Sequence, residues 1–251
     1  NLTVTGATTI PGAVTITTAT LDANGTFDAT GGTIDINDAG DLQLAGVVTS
    51  LGDVSADFGT VTYDGPGDQA IVADDYFSLT AGGGAGIKTL AGNVTVTNDF
   101  TIDTDVTIAM DTHDLTVTNA TEIDGILAVA DNILTLDGAS DIDGTITIST
   151  GTVDANDIFD ATNGMITFTG AGNLTLDSTV TSLGTLSADN GTVTYNGDTA
   201  QTIVAGAYPS LKASDAAGIK TLGGTVTVAG GLIIDASVTV DMNGNTLGVT
   251  G

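Results

Sequence analysis

Acidic and amide side chains are the residues whose types and spacing could do chemistry in this sequence. They gather in short turns between apolar runs, and carboxylate and amide oxygens are hard ligands suited to Ca²⁺. The sequence predicts Ca²⁺ as an optional ligand, not a required cofactor, of these turn residues: Asp22, Asp28, Asp35, Asn37, Asp38, Asp154 and Asp160. No calcium motif is complete, because the run from Gly31 to Asp35 lacks a glycine two positions before the aspartate. The alternative that these residues only cap turns and keep the surface soluble stays open.

Catalytic chemistry is poorly supported. The single histidine, His113, is accompanied by no sequence signature of a nucleophile or an oxyanion site. Lys88 and Lys220 occupy equivalent places in the two halves of the chain. We interpret both lysines as solvent-exposed scaffold residues beside acidic turns, and not as catalytic bases or as partners in isopeptide cross-links. The sequence predicts no enzyme activity and no catalytic or cofactor-binding residue.

The charge balance excludes several classes of partner. Asp and Glu number 31 against 3 Lys and Arg, which gives a formal net charge of −28. Such a chain cannot neutralise phosphates, so nucleic acid is excluded as a partner and anionic membrane surfaces are disfavoured. The hydrophobic fraction of 41% still predicts a folded chain, with a thin aliphatic core because aromatic residues make up only 4%. No apolar run is long enough to predict a membrane span.

The local pattern is that of β-strands. Apolar residues alternate with threonine in short runs such as Val14-Thr-Ile16, Leu134-Thr-Leu136 and Val226-Thr-Val228. Period-two alternation of β-branched residues indicates half-buried strands, and the Gly, Asn and Asp residues between the runs indicate turns. The 35 glycines are too many for a helical protein.

The chain is nearly a tandem duplication. Residues 21–119 align without a gap on residues 153–251, an offset of 132. The match extends more weakly upstream, so the repeats are 1–119 and 133–251, joined by 120–132. Long internal repeats build extended objects from stacked units. We therefore predict one continuous domain over residues 1–251.

A shorter period lies inside the long one. The strand starts Leu2, Leu21, Leu42 and Val61 are 19, 21 and 19 residues apart, and Leu134, Val153, Leu174 and Val193 repeat this spacing. Steps of about 20 residues fit one coil of a β-solenoid, in which each coil buries the apolar stripe of its neighbour. The predicted fold is all-β, a parallel β-helix (β-solenoid). A pair of tandem β-sandwich domains is the alternative.

Several repeated motifs resemble a known group of proteins. Gly59-Thr-Val-Thr-Tyr63, Gln69, Tyr76 and Ala85-Gly-Ile-Lys-Thr-Leu90 recur 132 residues later. In this order they resemble repeats of long bacterial cell-surface and secreted proteins, similar to filamentous-haemagglutinin-like adhesins. The resemblance implies a parallel β-helix with an extracellular structural role, as a filament, stalk or surface layer. An adhesin that binds a surface or glycan is the alternative function, and an ice-binding protein that presents ranked threonines is a minor one.

The two ends of the chain share one pattern. Asn1-Leu-Thr-Val-Thr-Gly6 resembles Thr246-Leu-Gly-Val-Thr-Gly251, and neither stretch has an evident polar or helical cap. Solenoids need such caps to stay soluble as monomers. We therefore expect head-to-tail stacking, between copies or between successive repeats of a longer chain, through Leu2, Val4, Leu247 and Val249.

Overall fold

The chain folds into β-strands joined by short turns in a computed structural model, which describes residues 1–55, 58–187, 190–214 and 218–251. The described residues form two compact units, Asn1–Leu127 and Ala128–Gly251. The boundary between the units falls inside the predicted connecting segment 120–132. One continuous domain over residues 1–251 stays a prediction.

Unit 1 consists of strands of two to four residues. In chain order they are β1 (Leu2–Val4), β2 (Thr8–Thr9), β3 (Ala13–Ile16), β4 (Thr20–Ala23), β5 (Phe27–Asp28), β6 (Thr33–Ile36), β7 (Asp41–Leu44), β8 (Val48–Ser50), β9 (Asp53–Ser55), β10 (Thr60–Tyr63), β11 (Gln69–Ile71), β12 (Asp75–Tyr76), β13 (Ser78–Ala81), β14 (Ile87–Leu90), β15 (Val94–Val96), β16 (Phe100–Ile102), β17 (Thr107–Ala109), β18 (Leu115–Val117) and β19 (Thr121–Ile123). Strand β20 (Ile126–Val129) includes residues of both units.

Unit 2 is built in the same way. Its strands are β21 (Ile133–Leu136), β22 (Ser140–Ile142), β23 (Thr145–Ile148), β24 (Thr152–Ala155), β25 (Phe159–Asp160), β26 (Met165–Phe168), β27 (Asn173–Leu176), β28 (Val180–Ser182), β29 (Thr185–Leu186), β30 (Thr192–Tyr195), β31 (Gln201–Ile203), β32 (Gly206–Tyr208), β33 (Leu211–Ala213), β34 (Ile219–Leu222), β35 (Val226–Val228), β36 (Leu232–Ile234), β37 (Thr239–Asp241) and β38 (Leu247–Val249).

Parallel pairing stacks these strands into coils. In each unit a strand pairs with the third strand after it, so three strands make one coil of about 20 residues. In unit 1, Leu2 pairs with Leu21, Leu21 with Leu42, and Leu42 with Val61. The predicted 19- and 21-residue steps are therefore the register of the sheet, and the β-solenoid is confirmed. The β-sandwich alternative is wrong, because sandwiches are made of antiparallel sheets.

The core of each unit is a stack of inward-facing side chains. Burial alternates along the strands, as in β7, where Leu42 and Leu44 are buried while Asp41 and Gln43 are partly exposed. The largest fully buried side chains include aromatic residues, namely Tyr63, Tyr76, Tyr195, Tyr208, Phe27, Phe100, Phe159 and Phe168. The core is mainly aliphatic, as the composition predicts, and these few aromatic residues are concentrated inside the coils.

One sheet in each unit is unbroken and the other two are interrupted. In unit 1 the sheet from β1 to β19 is continuous, while β2-β5-β8 is separate from the sheet that starts at β11 and β3-β6-β9 from the one that starts at β12. In unit 2 the corresponding breaks separate β28 from β31 and β29 from β32. The breaks fall at matching points of the repeated sequence, where the coils need other contacts to hold them together.

Candidate functional site

A buried lysine lies next to the break in unit 1. Lys88 is fully buried, and its Nζ donates hydrogen bonds to the carbonyl oxygens of Gly65 (2.5 Å) and Gly67 (3.1 Å) and to Oε1 of Gln69 (2.7 Å). Gln69 Oε1 also accepts the Gly65 amide, and Gln69 Nε2 donates to the carbonyl oxygens of Leu44 and Gly46. The Gln69 amide thus reaches across the break to the residues before β8, and the Lys88 ammonium, from the next coil, holds Gln69 in place. A Cβ at Gly65 would clash with the Ala45 carbonyl oxygen and with the Gln69 side chain, so this position requires glycine.

Unit 2 contains the same arrangement. Lys220 is fully buried and donates to the Gly197 carbonyl oxygen at 2.5 Å and to Gln201 Oε1 at 2.6 Å. Gln201 Nε2 donates to the carbonyl oxygens of Leu176 and Ser178. Each cluster of lysine, glutamine and glycine carbonyls is called a lysine cage below. Because both repeats contain one, the cage belongs to the scaffold and not to a single catalytic site.

The lysine cages correct the sequence interpretation. Lys88 and Lys220 were expected to lie in solvent, but both are fully buried. Burial lowers the pKa of the Lys88 ammonium, while the nearby carboxylates of Asp64 and Asp68 act in the opposite direction. A buried ammonium persists only where hydrogen-bond acceptors surround it, and backbone carbonyls supply most of them here. The alternation of apolar and polar residues along the strands does not predict where these carbonyl oxygens lie.

A tyrosine pair lies beside the lysine cage in each unit. In unit 1, Tyr76 donates its hydroxyl hydrogen to the Val72 carbonyl oxygen (2.7 Å) and accepts a hydrogen bond from Tyr63 at 3.0 Å. Tyr63 in turn accepts the Val72 amide at 3.1 Å. Tyr195 and Tyr208 repeat this geometry around Val204. The motif residues that carry the resemblance to surface proteins therefore meet in two polar clusters inside the coils.

Five of the seven predicted calcium residues, Asp22, Asp28, Asp35, Asn37 and Asp160, are engaged in local hydrogen bonds. Asp28 accepts the amide and hydroxyl of Thr30, and Asp160 accepts those of Thr162. These bonds to Thr30 lower the pKa of Asp28. Asp22 accepts from Asn24, and Asp35 accepts from the Asn37 amide at 3.1 Å. Asp38 adopts φ 51°, the left-handed turn conformation that aspartate tolerates. These contacts fit the turn-capping alternative.

The structure brings no three of these carboxylates together. Among the residues that the structure describes, no group of three or more His, Cys, Asp or Glu side chains is placed to hold a metal ion. The exception to local bonding is Asp154, whose pKa is raised by burial and by the negative charges of Asp177 and Asp137. A divalent cation would relieve this repulsion, so Asp154 is the predicted calcium residue at which we expect the largest effect.

We expect millimolar Ca²⁺ to raise the melting temperature by a few degrees relative to the protein with chelator. Asp154→Asn should remove most of the difference, whereas Asp131→Asn, at an exposed turn residue of the same unit, should leave it unchanged. The measurement is a thermal melt followed by circular dichroism. An equal effect of NaCl at the same ionic strength would show simple screening and contradict calcium binding.

The predicted assembly residues lie in strands with one described neighbour each. β1 pairs with β4 and β38 pairs with β35. Leu2 is 60% exposed and Val249 is 46% exposed, while Val4 and Leu247 are half-buried. These positions point along the inward rows of their sheets, so their exposure leaves part of the apolar interior of each terminal coil open to water.

A groove of about 440 Å³ crosses the surface of unit 1. It is lined by the turn before β7, the start of β10, the start of β13 and the residues before β16. Its lining residues include Asp38, Asp41, Phe77, Asn98 and Asp99. Sequence reasoning missed this groove, although the second repeat differs at all five positions, with Gly170, Asn173, Pro209, Gly230 and Gly231.

Outward threonines do not form an unbroken array in unit 2. The register of its unbroken sheet places the following residues in one row: Thr135, Asp154, Thr175, Thr194, Lys212 and Ile233. The row thus contains both charges and an exposed isoleucine. Ice binding stays a prediction that this row does not favour.

The stacked parallel coils and the internal repeat define a class of protein, the parallel β-solenoids with internal repeats. No protein-family model, no curated protein and no solved structure matches the chain. Within the described residues there is no helix long and apolar enough to cross a membrane.

Proposed function

We propose that this chain is an extracellular structural segment whose coils stack head to tail with further coils into a filament, stalk or surface layer. The neighbouring coils belong either to other copies or to the same longer polypeptide. The observation that carries the proposal is the apolar interior that each terminal coil leaves open. A strand edge with an apolar layer beside it pairs readily with another chain.

The open surface of unit 1 is a hollow of about 410 Å³. Its lining residues include Leu2, Val4, Ile10 and Val14, which lie in inward rows of the first coil, and Leu21 of the second coil. An aliphatic hollow of this kind costs free energy in water, at roughly 25 cal/mol for each Å² of exposed apolar area. A further coil would cover it in the way that each coil of unit 1 covers the one before.

The open surface of unit 2 lies on its last coil. Its strands are β36, β37 and β38, in which Leu232, Val240 and Leu247 are only half-buried. The corresponding positions in earlier coils of the unit, such as Leu211 and Val226, are buried. The difference is the missing cover of the next coil. A heterologous contact between the two kinds of open surface does not close, so it propagates into a fibre.

The extracellular placement rests on the resemblance of the motifs and on composition. Stacked coils stabilise themselves without disulfides, and the chain has no cysteine. Adhesion to a surface or glycan is a second candidate function, and it is favoured by the groove in unit 1. We propose no enzyme activity, since both buried lysines serve the scaffold in the two repeats.

Fibre diffraction of the concentrated protein tests the proposal. Axial stacking of coils predicts a meridional reflection at about 4.8 Å, because the strands lie across the fibre axis. Electron micrographs should show fibres that lengthen with protein concentration. Compact particles of constant size at every concentration, or fibres whose 4.8 Å reflection is equatorial, would contradict the proposal.

A further inference from the structure

The groove in unit 1 combines a row of fixed polar groups with a half-buried phenylalanine, against which an exposed phenylalanine packs. Asp41, Thr60 and Ser78 occupy matching register positions in three successive coils. Asn98 and Asp99 continue this edge at the next coil. Because stacked strands set their spacing, these polar groups form a rigid ladder along the groove.

The polar side chains are oriented by hydrogen bonds. The Asp41 carboxylate accepts from Gln43 Nε2 at 2.7 Å and from Thr62 Oγ1 at 3.1 Å. Asn98 Nδ2 donates to Ser78 Oγ at 3.0 Å. A carboxylate has about four acceptor positions, so Asp41 keeps capacity for further donors. Such a ladder suits a ligand that carries several hydroxyl groups in a row.

An exposed phenylalanine packs against a half-buried one at the same place. The Phe58 side chain is 52% exposed, and its ring centroid lies 5.6 Å from that of Phe77, which lines the groove. All four tyrosines of the chain, by contrast, are buried. Exposed aromatic area is unfavourable in water unless a partner covers it. An aromatic ring beside hydroxyl-binding groups offers a flat apolar surface to the C–H face of a sugar ring.

The second repeat shows that the scaffold does not need these residues. Phe58 and Phe77 correspond to Asn190 and Pro209, and Asp99 corresponds to Gly231. The residues of the groove that build the coil are retained, with Gly191, Thr192, Thr194 and Ser210 in place of Gly59, Thr60, Thr62 and Ser78. The differences thus fall on the groups that could touch a ligand.

We propose that the groove of unit 1 binds a neutral hexose unit of a glycan. The sugar ring stacks on Phe77, which Phe58 supports from the side, and its hydroxyls donate to the carboxylates of Asp41 and Asp99. The carboxylates and the net charge of −28 repel acidic sugars. A volume of about 440 Å³ lies within the roughly 300–1,000 Å³ typical of small-molecule sites. This binding site does not depend on filament assembly.

Calorimetric titration of the whole chain tests the site with defined probes: maltose, cellobiose, lactose, mannobiose, galacturonate and tetramethylammonium. We expect at least one neutral disaccharide to bind at millimolar concentration and galacturonate not to bind. Phe58→Asn combined with Asp99→Gly, both residues taken from the second repeat, should weaken that binding about tenfold or more at unchanged melting temperature. Ile158→Asn removes an exposed apolar side chain in unit 2 and should leave affinity unchanged.

Three results would overturn the proposal. No binding of any neutral disaccharide, or binding that the Phe58/Asp99 variant leaves unchanged, would remove the groove as a sugar site. Binding of tetramethylammonium without binding of neutral sugars would instead indicate a site where aromatic rings and carboxylates hold a cation.

Discussion

Replacing Lys88 with methionine should lower the free energy of unfolding by about 3 kcal/mol. Methionine is close to lysine in length but donates no hydrogen bond, so the Gly65 carbonyl oxygen and Gln69 Oε1 each lose a donor. A buried polar group without a partner costs about 1–3 kcal/mol. The measurement is urea unfolding followed by circular dichroism.

The third lysine of the chain supplies a matched control. Lys212 is partly exposed and forms an ion pair of 3.3 Å with Asp235, whose side chain is 42% exposed. Surface ion pairs contribute little, so Lys212→Met should change the free energy of unfolding by less than about 1 kcal/mol. Equal losses in the Lys88 and Lys212 variants would show that the lysine cage is not a structural brace.

Alkaline unfolding should begin as the pH rises above 10, because no tyrosine is free to ionise in the folded chain. Burial raises the pKa of Tyr63 and of Tyr195 from 10.0 to about 12. Burial, followed by the neighbouring tyrosine of each pair, raises the pKa of Tyr76 and Tyr208 as well. The unfolded chain therefore loses these protons first, and folding stability present below pH 10 is lost between pH 10 and about 12.

The expected loss is roughly 3 kcal/mol for Tyr63 and a similar amount for Tyr195. We expect the phenolate absorbance to rise together with the loss of the β-sheet circular dichroism signal, in one transition. The same protein in denaturant should titrate near pH 10, as free tyrosine does. Phenolate absorbance that rises near pH 10 while the β-sheet signal persists would contradict the buried pairs.

The coil was predictable from the sequence because side-chain periodicity and stacking register are the same quantity. Leu2, Leu21, Leu42 and Val61 are spaced so that each pairs with the next, and this stacking buries Leu21, Leu42 and Val61. The threonines between them alternate outward for the same reason. The spacing of the strand starts therefore predicted the fold class, including the parallel pairing of the strands.

The lysine cages were not predictable, because their acceptors are main-chain atoms. Lys88 contacts carbonyl oxygens of Gly65 and Gly67, and these atoms have no sequence signature. The acidic composition suggested that a lysine side chain would lie in solvent, beside the acidic turns. Lysine, glutamine and two tyrosines recur at the 132-residue offset. This recurrence indicated that the four residues belong to the scaffold, but it did not indicate that the lysines are buried.

The groove is indicated by differences between the two repeats, whereas the lysine cages are indicated by identities. Residues that are identical in the two repeats are those that the coils need. Residues that differ can serve a function that only one repeat has. Phe58, Phe77 and Asp99 differ from their counterparts, yet they are far apart in sequence and only the stacking of coils brings them to one edge. Comparison of the two repeats at single positions therefore becomes informative once the register is known.

Stacking of one open end on the other is tested most directly by blocking one end at a time. Val4→Asp places a carboxylate in the apolar hollow of the first coil, and Val249→Asp does so on the last coil. Burying an unpaired charge there is prohibitive, so neither variant alone should grow beyond a monomer. The Val4→Asp variant keeps an intact last coil, and the Val249→Asp variant keeps an intact first coil.

An equimolar mixture of the two variants should therefore form heterodimers and nothing longer, as measured by analytical ultracentrifugation. The intact last coil of the Val4→Asp chain meets the intact first coil of the Val249→Asp chain, and the blocked ends stop further growth. The unmodified chain should form fibres under the same conditions. Dimers in either variant alone, or a mixture that stays monomeric while the unmodified chain assembles, would contradict head-to-tail stacking.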